Sequence, residues 1–232
     1  MNKTIIYSLF FLLNFTLKGQ NRIDDLNTFF NNYVHNGKVD YSSIKSNELS
    51  KLDGLIKMTE NAIKSNKIDQ QKASYINLYN LLVIKQIVKS PTVSSPNEIQ
   101  GFFDKNKFEI NGKKITLNNL ENKIIRPLFK DARIHFALVC GAIGCPPIQK
   151  FAFQKEKLNE QLNKVTSEAI NNPKFIKIEK NGRSAKISEI FKWYINDFGG
   201  NSSEIINFIN KYLKDKKKII SSITYYPYNW SL

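Results

Sequence analysis

The sequence predicts an α+β domain in which a long buried helix packs on an antiparallel sheet. Three observations carry this. Apolar residues recur at helical spacing through the first half of the chain. Asn111-Gly112 and Asn181-Gly182 each sit between short alternating runs in the second half, which is a hairpin signature. Before both turns, Tyr75-Ile76-Asn77-Leu78-Tyr79-Asn80-Leu81-Leu82-Val83-Ile84 is apolar on nearly every side, as a helix buried all round must be.

The elements follow in order. Ile23, Leu26, Phe29, Phe30, Tyr33 and Val34 predict a first helix, which Asn36-Gly37 ends before an extended Lys38–Tyr41. A second helix is expected over 48–65. Asp69 is positioned to cap the long helix, which runs to about Lys89, with Pro91 and Pro96 in the following loop. Residues 108–117 read as a hairpin. Residues 117–125 read as a short helix that stops at Arg126, because the residue before Pro127 is pushed out of helical geometry. The apolar run Ile134–Val139 predicts a buried strand. A helix over 154–170, a hairpin over 175–187, helices over 190–198 and 204–213, and a last strand at 223–226 complete the chain.

The N-terminus predicts a targeting segment. Lys3 supplies a positive start and Ile5–Leu13 a short apolar core, shorter than the roughly 20 residues of a membrane-spanning helix. Residues 1–20 are therefore expected to be a signal peptide, residues 21–232 a single domain, and the protein secreted or periplasmic with no transmembrane anchor after cleavage. The net charge of +15 comes from lysines scattered along the chain. The densest cluster, at 214–218, falls where a helix ends, and cations are favoured there. No basic stretch is interleaved with aromatics as base stacking requires, so nucleic acid is not an expected partner.

The segment Arg133 to Pro147 concentrates the chemistry: it holds both cysteines, Cys140 and Cys145, and one of the two histidines, His135. Thiol, imidazole and glycine-punctuated backbone are the parts of a nucleophilic site. They are also the parts of a small disulfide loop, which an oxidising compartment favours. In a straight strand His135 and Cys140 are roughly 16 Å apart and face opposite ways. Cys145 is the better partner, since Gly141 and Gly144 let the loop fold back. The sequence leaves both readings open: Cys145 as nucleophile with His135 as base, or a Cys140–Cys145 bridge. His35, among asparagines, reads as solvated.

Asn77 and Asn80 share a face of the most apolar helix, and each needs a hydrogen-bond partner there. They either tie down main chain or line a polar pocket, with Asn80 a candidate orienter or oxyanion donor. Glu121 and Arg126 bracket the short helix, and Arg126 is suited to clamping a carboxylate or phosphate. Asp40, Tyr41, Asp197 and Trp230 are weaker candidates. Metal-ligand spacing, a phosphate loop, a dinucleotide fingerprint and a G-x-S-x-G elbow are all missing from the sequence, so no metal and no cofactor is expected.

An ordered set of segments resembles the domain-of-unknown-function family 547. It comprises Val39-Asp40-Tyr41, Tyr75 to Asn80, Leu120-Glu121 to Ile125-Arg126, Ile134 to Cys140, Gly144-Cys145-Pro146, Phe191-Lys192-Trp193-Tyr194 to Asp197-Phe198, and Tyr228-Asn229-Trp230-Ser231-Leu232. The chain departs from that pattern at Asn122, where the family often carries histidine, and at Asn229, where aspartate is usual. The resemblance implies a fold and no activity. Papain-like and transglutaminase-like folds are a looser analogy, and fold analogy does not confer function.

Two functions are carried forward. One is a hydrolase or acyl transferase using Cys145, His135 and Asn80. The other is a non-catalytic module in which Arg126 and His135, with Glu121 and Asn77 nearby, hold an anionic ligand beside a structural bridge. A small molecule, a peptide or an envelope polysaccharide is the expected partner class.

Overall fold

The computed structural model describes residues 23–44, 48–90, 92–179, 182–215 and 220–232. The expected signal peptide lies outside them, as do Asn181 of the second Asn-Gly turn and lysines 216–218 of the basic cluster.

The fold is α+β, as the sequence predicts. Helix α1 (23–33) buries Leu26, Phe29 and Phe30. A two-residue-per-strand hairpin follows, β1 (Val34–His35) and β2 (Lys38–Val39). Its turn has Asn36 at φ 51° and Gly37 at φ 77°, the paired positive values a tight hairpin requires. So Asn36-Gly37 ends the helix and also reverses the chain. Helix α2 (Glu48–Ile63) packs its Leu52, Leu55 and Ile63 against α3 (Ile68–Val88). Asp69 lies in the first turn of α3 rather than capping it, where its charge still favours the positive helix end.

Helix α3 is apolar all round because it separates two cores. Leu81 and Ile84 face α1 and α2, with Phe29, Phe30 and Leu52. Ile76, Leu78, Leu82, Val83 and Ile87 face the rest of the domain. Its main packing partner is thus helix α2, not the sheet, which corrects one detail of the expected architecture. The strands are short and peripheral: β3 (Lys107–Ile110) pairs with β4 (Lys113–Thr116), and β5 (Ile176–Ile178), β6 (Ser184–Ser188) and β7 (Ser222–Tyr226) form one sheet. The β3–β4 and β5–β6 pairs are antiparallel, but β7 runs parallel to β6. The chain leaves β6 and returns through α7 (Ile190–Trp193), a 3-10 turn Ile195–Phe198 and α8 (Ser202–Tyr212), and such a helical crossover returns a strand in the same direction.

Two expected elements differ in kind. Ile134–Val139 is not a strand. Ala132–Phe136 forms a 3-10 helix, and residues 138–140 are irregular and buried or half-buried. A short apolar run reports burial and does not by itself choose an extended backbone. The helix also continues past Arg126. One turn, α4 (Leu117–Asn119), runs into a π-helix at Leu120–Ile125 and then α5 (Arg126–Phe129). Arg126 keeps helical angles (φ −60°, ψ −50°) while its N–H reaches back to the Glu121 carbonyl. The wider turn accommodates Pro127 in the first turn of α5, where its missing N–H matters little. Helix α6 (Leu158–Ile170) begins four residues later than expected.

Asp131 caps the 3-10 helix by accepting from the Arg133 N–H, and it also accepts from the Arg133 guanidinium at 2.9 and 2.8 Å and from Lys72 Nζ at 3.0 Å. Burial pushes its carboxyl up, but the hydrogen bonds and charges of Arg133 and Lys72 outweigh that and hold it at about 2. A carboxyl lowered in the folded state contributes stability above its unfolded value, about 3.9, and loses it as pH falls toward its folded value. The native protein is therefore expected to lose on the order of 1–2 kcal/mol through this group between about pH 4 and pH 2, after allowance for solvent screening. Urea unfolding at stepped pH checks this: Asp131→Asn should flatten that part of the profile, and an unchanged profile refutes it.

Candidate functional site

A cavity of about 300 Å³ opens where α3, the π-helix, the 132–136 turn, α7 and the C-terminal segment meet. Its polar floor comes from Glu121, Asn118, Asn122 and His135. Its walls are Phe103, Trp193, Tyr228 and Trp230, with the Cys140–Cys145 pair on one side.

Glu121 projects from the π-helix, an element that occurs often at functional sites because it re-aims side chains. The Tyr79 hydroxyl donates to Glu121 Oε2 at 3.0 Å, and the Tyr194 phenol lies close enough to this carboxylate to feel its charge. Burial first, then the Glu121 charge, pushes both phenols well above the ordinary tyrosine value, so they stay donors. Glu121 is nearly buried, 8% exposed, with phenols rather than a salt-bridged cation beside it.

His135 and Arg126 converge on one residue, Asp197. His135 Nε2 lies 2.7 Å from Asp197 Oδ2. Arg126 donates to the same carboxylate in two-pronged fashion, at 2.6 and 2.9 Å. Burial raises the Asp197 carboxyl, but the hydrogen bonds of His135 and Arg126 win and hold it far below the usual carboxylate range. Tyr194 organises both partners: its ring stacks on the imidazole at a centroid distance of 4.0 Å and lies 4.7 Å from the Arg126 guanidinium carbon. Arg126 also donates to the Asn122 side-chain oxygen, and Asn122 donates to Asn118. Asn122 thus fits the network at the position where the resembled family often carries histidine.

Cys140 and Cys145 are joined as a disulfide, with Cα atoms 6.4 Å apart. Gly141 takes φ 86° to start the loop, and a Cβ on Gly144 would meet the Tyr228 ring at 2.9 Å. Gly141 is therefore required by its positive φ and by Ile87, whose Cδ1 a Cβ would meet at 2.5 Å, and Gly144 by the close approach of the C-terminal segment. That segment is strapped across the loop by Ile143 N–H to Ser231 O (2.7 Å) and Gly144 N–H to Asn229 O (2.8 Å). The strap delivers Tyr228 and Trp230 to the cavity.

The sequence-predicted residues separate into two groups. His135, Cys140, Cys145 and Glu121 share the cavity, and Arg126 stands behind it, bound to Asp197. Asn77 and Asn80 are elsewhere. Asn80 donates to Ala137 O at 2.9 Å and accepts from Val139 N at 3.0 Å, and Asn77 makes the same pair of bonds to Phe153. Both amides are spent on main chain, and Asn80 does not line the cavity, so it is not placed to donate to an oxyanion there. Asp197 is the residue whose weight the sequence understated. Its only signal there was its place three residues after Tyr194 in the closing part of the resembled pattern. Trp193, Tyr79 and Tyr194 gave no signal beyond apolar helical spacing and their place in the resembled segments.

No group of His, Cys, Asp and Glu among the described residues is arranged to hold a metal ion, and no described helix is long and apolar enough to cross a membrane. Comparisons with curated proteins and with solved structures give no match. The family model described as "Protein of unknown function, DUF547" matches residues 63–170, which carry Glu121, Arg126, His135 and both cysteines; Asp197 and the tryptophans lie beyond it. Over those residues, just under half of its length, the chain is similar to that family.

Proposed function

We propose that the protein is a binding module whose cavity takes a small organic ligand with an apolar face and a hydrogen-bond-donating, uncharged or cationic end. The observation that carries this is the acidic floor under aromatic walls. Glu121 is an acceptor flanked by phenols, and Trp193, Tyr228 and Trp230 offer flat faces above it. Aromatic faces and a carboxylate together attract cations and donors and repel anions. This changes the sign of the ligand expected from the sequence: Arg126, the proposed anion clamp, is already neutralised by Asp197.

The chain has two tryptophans, and both line this cavity, so selectively excited tryptophan emission reports on the site. Titration with phenethylammonium, methyl glucoside and benzoate is the test. Either of the first two is expected to perturb the emission saturably, ahead of benzoate. Glu121→Gln, which keeps the shape and removes the charge, should weaken phenethylammonium about tenfold. Binding of benzoate alone, or silence from all three, refutes the reading.

The hydrolase or acyl-transferase reading keeps one supporting observation, the shared cavity of His135 and Cys145 with His135 oriented by Asp197. A sulfur held in a disulfide is no nucleophile, so that chemistry requires the bridge to be opened first. Secretion is part of the same proposal, supported by the N-terminal pattern and by the closed bridge. N-terminal sequencing of the exported protein tests it.

A further inference from the structure

We infer that the Cys140–Cys145 bridge is itself a reactive group, an oxidant that exchanges with a small dithiol entering the cavity, with Cys140 the sulfur attacked and Cys145 the sulfur released. This goes beyond ligand binding and does not depend on which molecule the aromatic walls prefer.

Three observations carry it. The bridge is reachable, because both cysteines are only half-buried and both line the cavity wall. The fold also does little to need it. The cross-link closes a loop of only six residues, and that loop is already held by Cys145 N–H to Ala142 O and by the two strap bonds from Ile143 and Gly144. The stabilisation lost on opening is correspondingly small, as closing a short loop contributes least. Finally, the two sulfurs are unequal. Cys145 Sγ accepts from the Cys140 N–H at 2.9 Å and from the Tyr228 hydroxyl at 2.9 Å. Cys140 Sγ shares only that same hydroxyl, at 3.0 Å. The one hydroxyl proton can serve either sulfur, so the main-chain N–H is what sets Cys145 apart. A donor aimed at one sulfur stabilises negative charge there, and a better-stabilised thiolate leaves faster. Burial keeps the Tyr228 phenol protonated, so the donor persists at any physiological pH.

The exchange balances as follows. A thiolate of the dithiol attacks Cys140 Sγ, the S–S bond breaks, and its electron pair goes to Cys145 Sγ. The second thiolate of the dithiol then attacks its own sulfur in the mixed disulfide and expels Cys140. The ligand leaves as a cyclic disulfide, oxidised by two electrons. The protein is left with two reduced cysteines, which take up the two protons the dithiol lost.

Dithiothreitol on the full-length folded chain is the probe. Bridge opening is followed by tryptophan emission, and the reduced protein is pulse-labelled with iodoacetamide across pH and read by peptide mass. The expected result is that the bridge opens without denaturant and with the fold retained by circular dichroism. Cys145 should alkylate ahead of Cys140, with a midpoint below the ordinary thiol value of about 8.5. Tyr228→Phe should raise that midpoint and slow opening about tenfold. A bridge that opens only in denaturant, Cys140 labelling first, or a Cys145 midpoint at the ordinary value overturns the inference. Should Tyr228→Phe not fold, the labelling order and midpoint of the native chain decide by themselves. Loss of phenethylammonium binding leaves this result untouched, so the two proposals fail separately.

Discussion

Phe136→Ala is expected to cost about 3–5 kcal/mol, the range for removing a fully buried aromatic ring. The side chain is 1% exposed at the end of the 132–136 turn, and it touches rings from four other places in the chain. Phe208 of α8 stacks on it at 5.9 Å, and Phe175, Phe191 and Phe198 surround it at 6.0, 5.9 and 6.2 Å. Those rings are held by different elements, so the cavity left by alanine cannot close by moving one of them. For a domain of this size the change corresponds to a melting temperature lower by roughly 6–20 °C. Phe136→Leu should cost distinctly less. Phe136 does not line the ligand cavity, so binding by the surviving folded fraction should be unchanged. A loss below 1 kcal/mol, measured by urea unfolding, would show that this ring is not the centre of the core.

Phe136 also shows where sequence reading succeeds and stops. Its burial was legible, since Ile134–Val139 is apolar throughout, but its backbone was not. Burial of a run can be met by a strand, or by any backbone whose polar groups find partners, and here the partners are a helical turn and the side chain of Asn80. The same limit applies at Arg126. The rule that a residue before proline leaves the helix assumes an α-helical turn, and a π-turn escapes it. Helices α1, α2 and α3 were legible because their apolar spacing is long and regular. The parallel direction of β7 was not, because it depends on how 33 residues between Ser188 and Ser222 cross back over the sheet.

The candidate site was half legible for a related reason. His135, Cys140 and Cys145 stand out by rarity, and Glu121 and Arg126 by charge in an apolar setting. Asp197 did not, because a lone aspartate near a helix end looks like any solvated carboxylate until Arg126 and His135, 71 and 62 residues away in sequence, are found on it. The aromatic walls were faint for the opposite reason, with Trp230 alone among them a weak candidate. Trp193, Tyr228 and Trp230 carry the spacing and composition of ordinary core residues, and only the strap that lays 228–232 over the disulfide loop turns them toward a cavity.

Asn80→Ala is expected to cost about 2–4 kcal/mol, through main chain rather than through its own contacts. The residue is 3% exposed, and its amide satisfies two buried groups on a segment with no regular structure, the Ala137 carbonyl and the Val139 N–H. Alanine leaves both unpaired, and each buried orphan costs about 1–3 kcal/mol, less whatever a water in the vacated space recovers. Hydrogen exchange locates the effect. The Val139 amide should lose protection well beyond the global change, while the Phe153 amide, bound by Asn77 one turn away, should follow the global change only. Unchanged stability together with unchanged Val139 protection would refute the clamp and return Asn80 to the candidates for chemistry. The clamp also bears on the cavity, because Leu138, which lines it, lies between the two residues Asn80 holds, and His135 is three residues before Ala137's neighbour. Ligand-induced tryptophan emission should therefore weaken in Asn80→Ala, as positioning of the wall by a side chain that never touches the ligand requires.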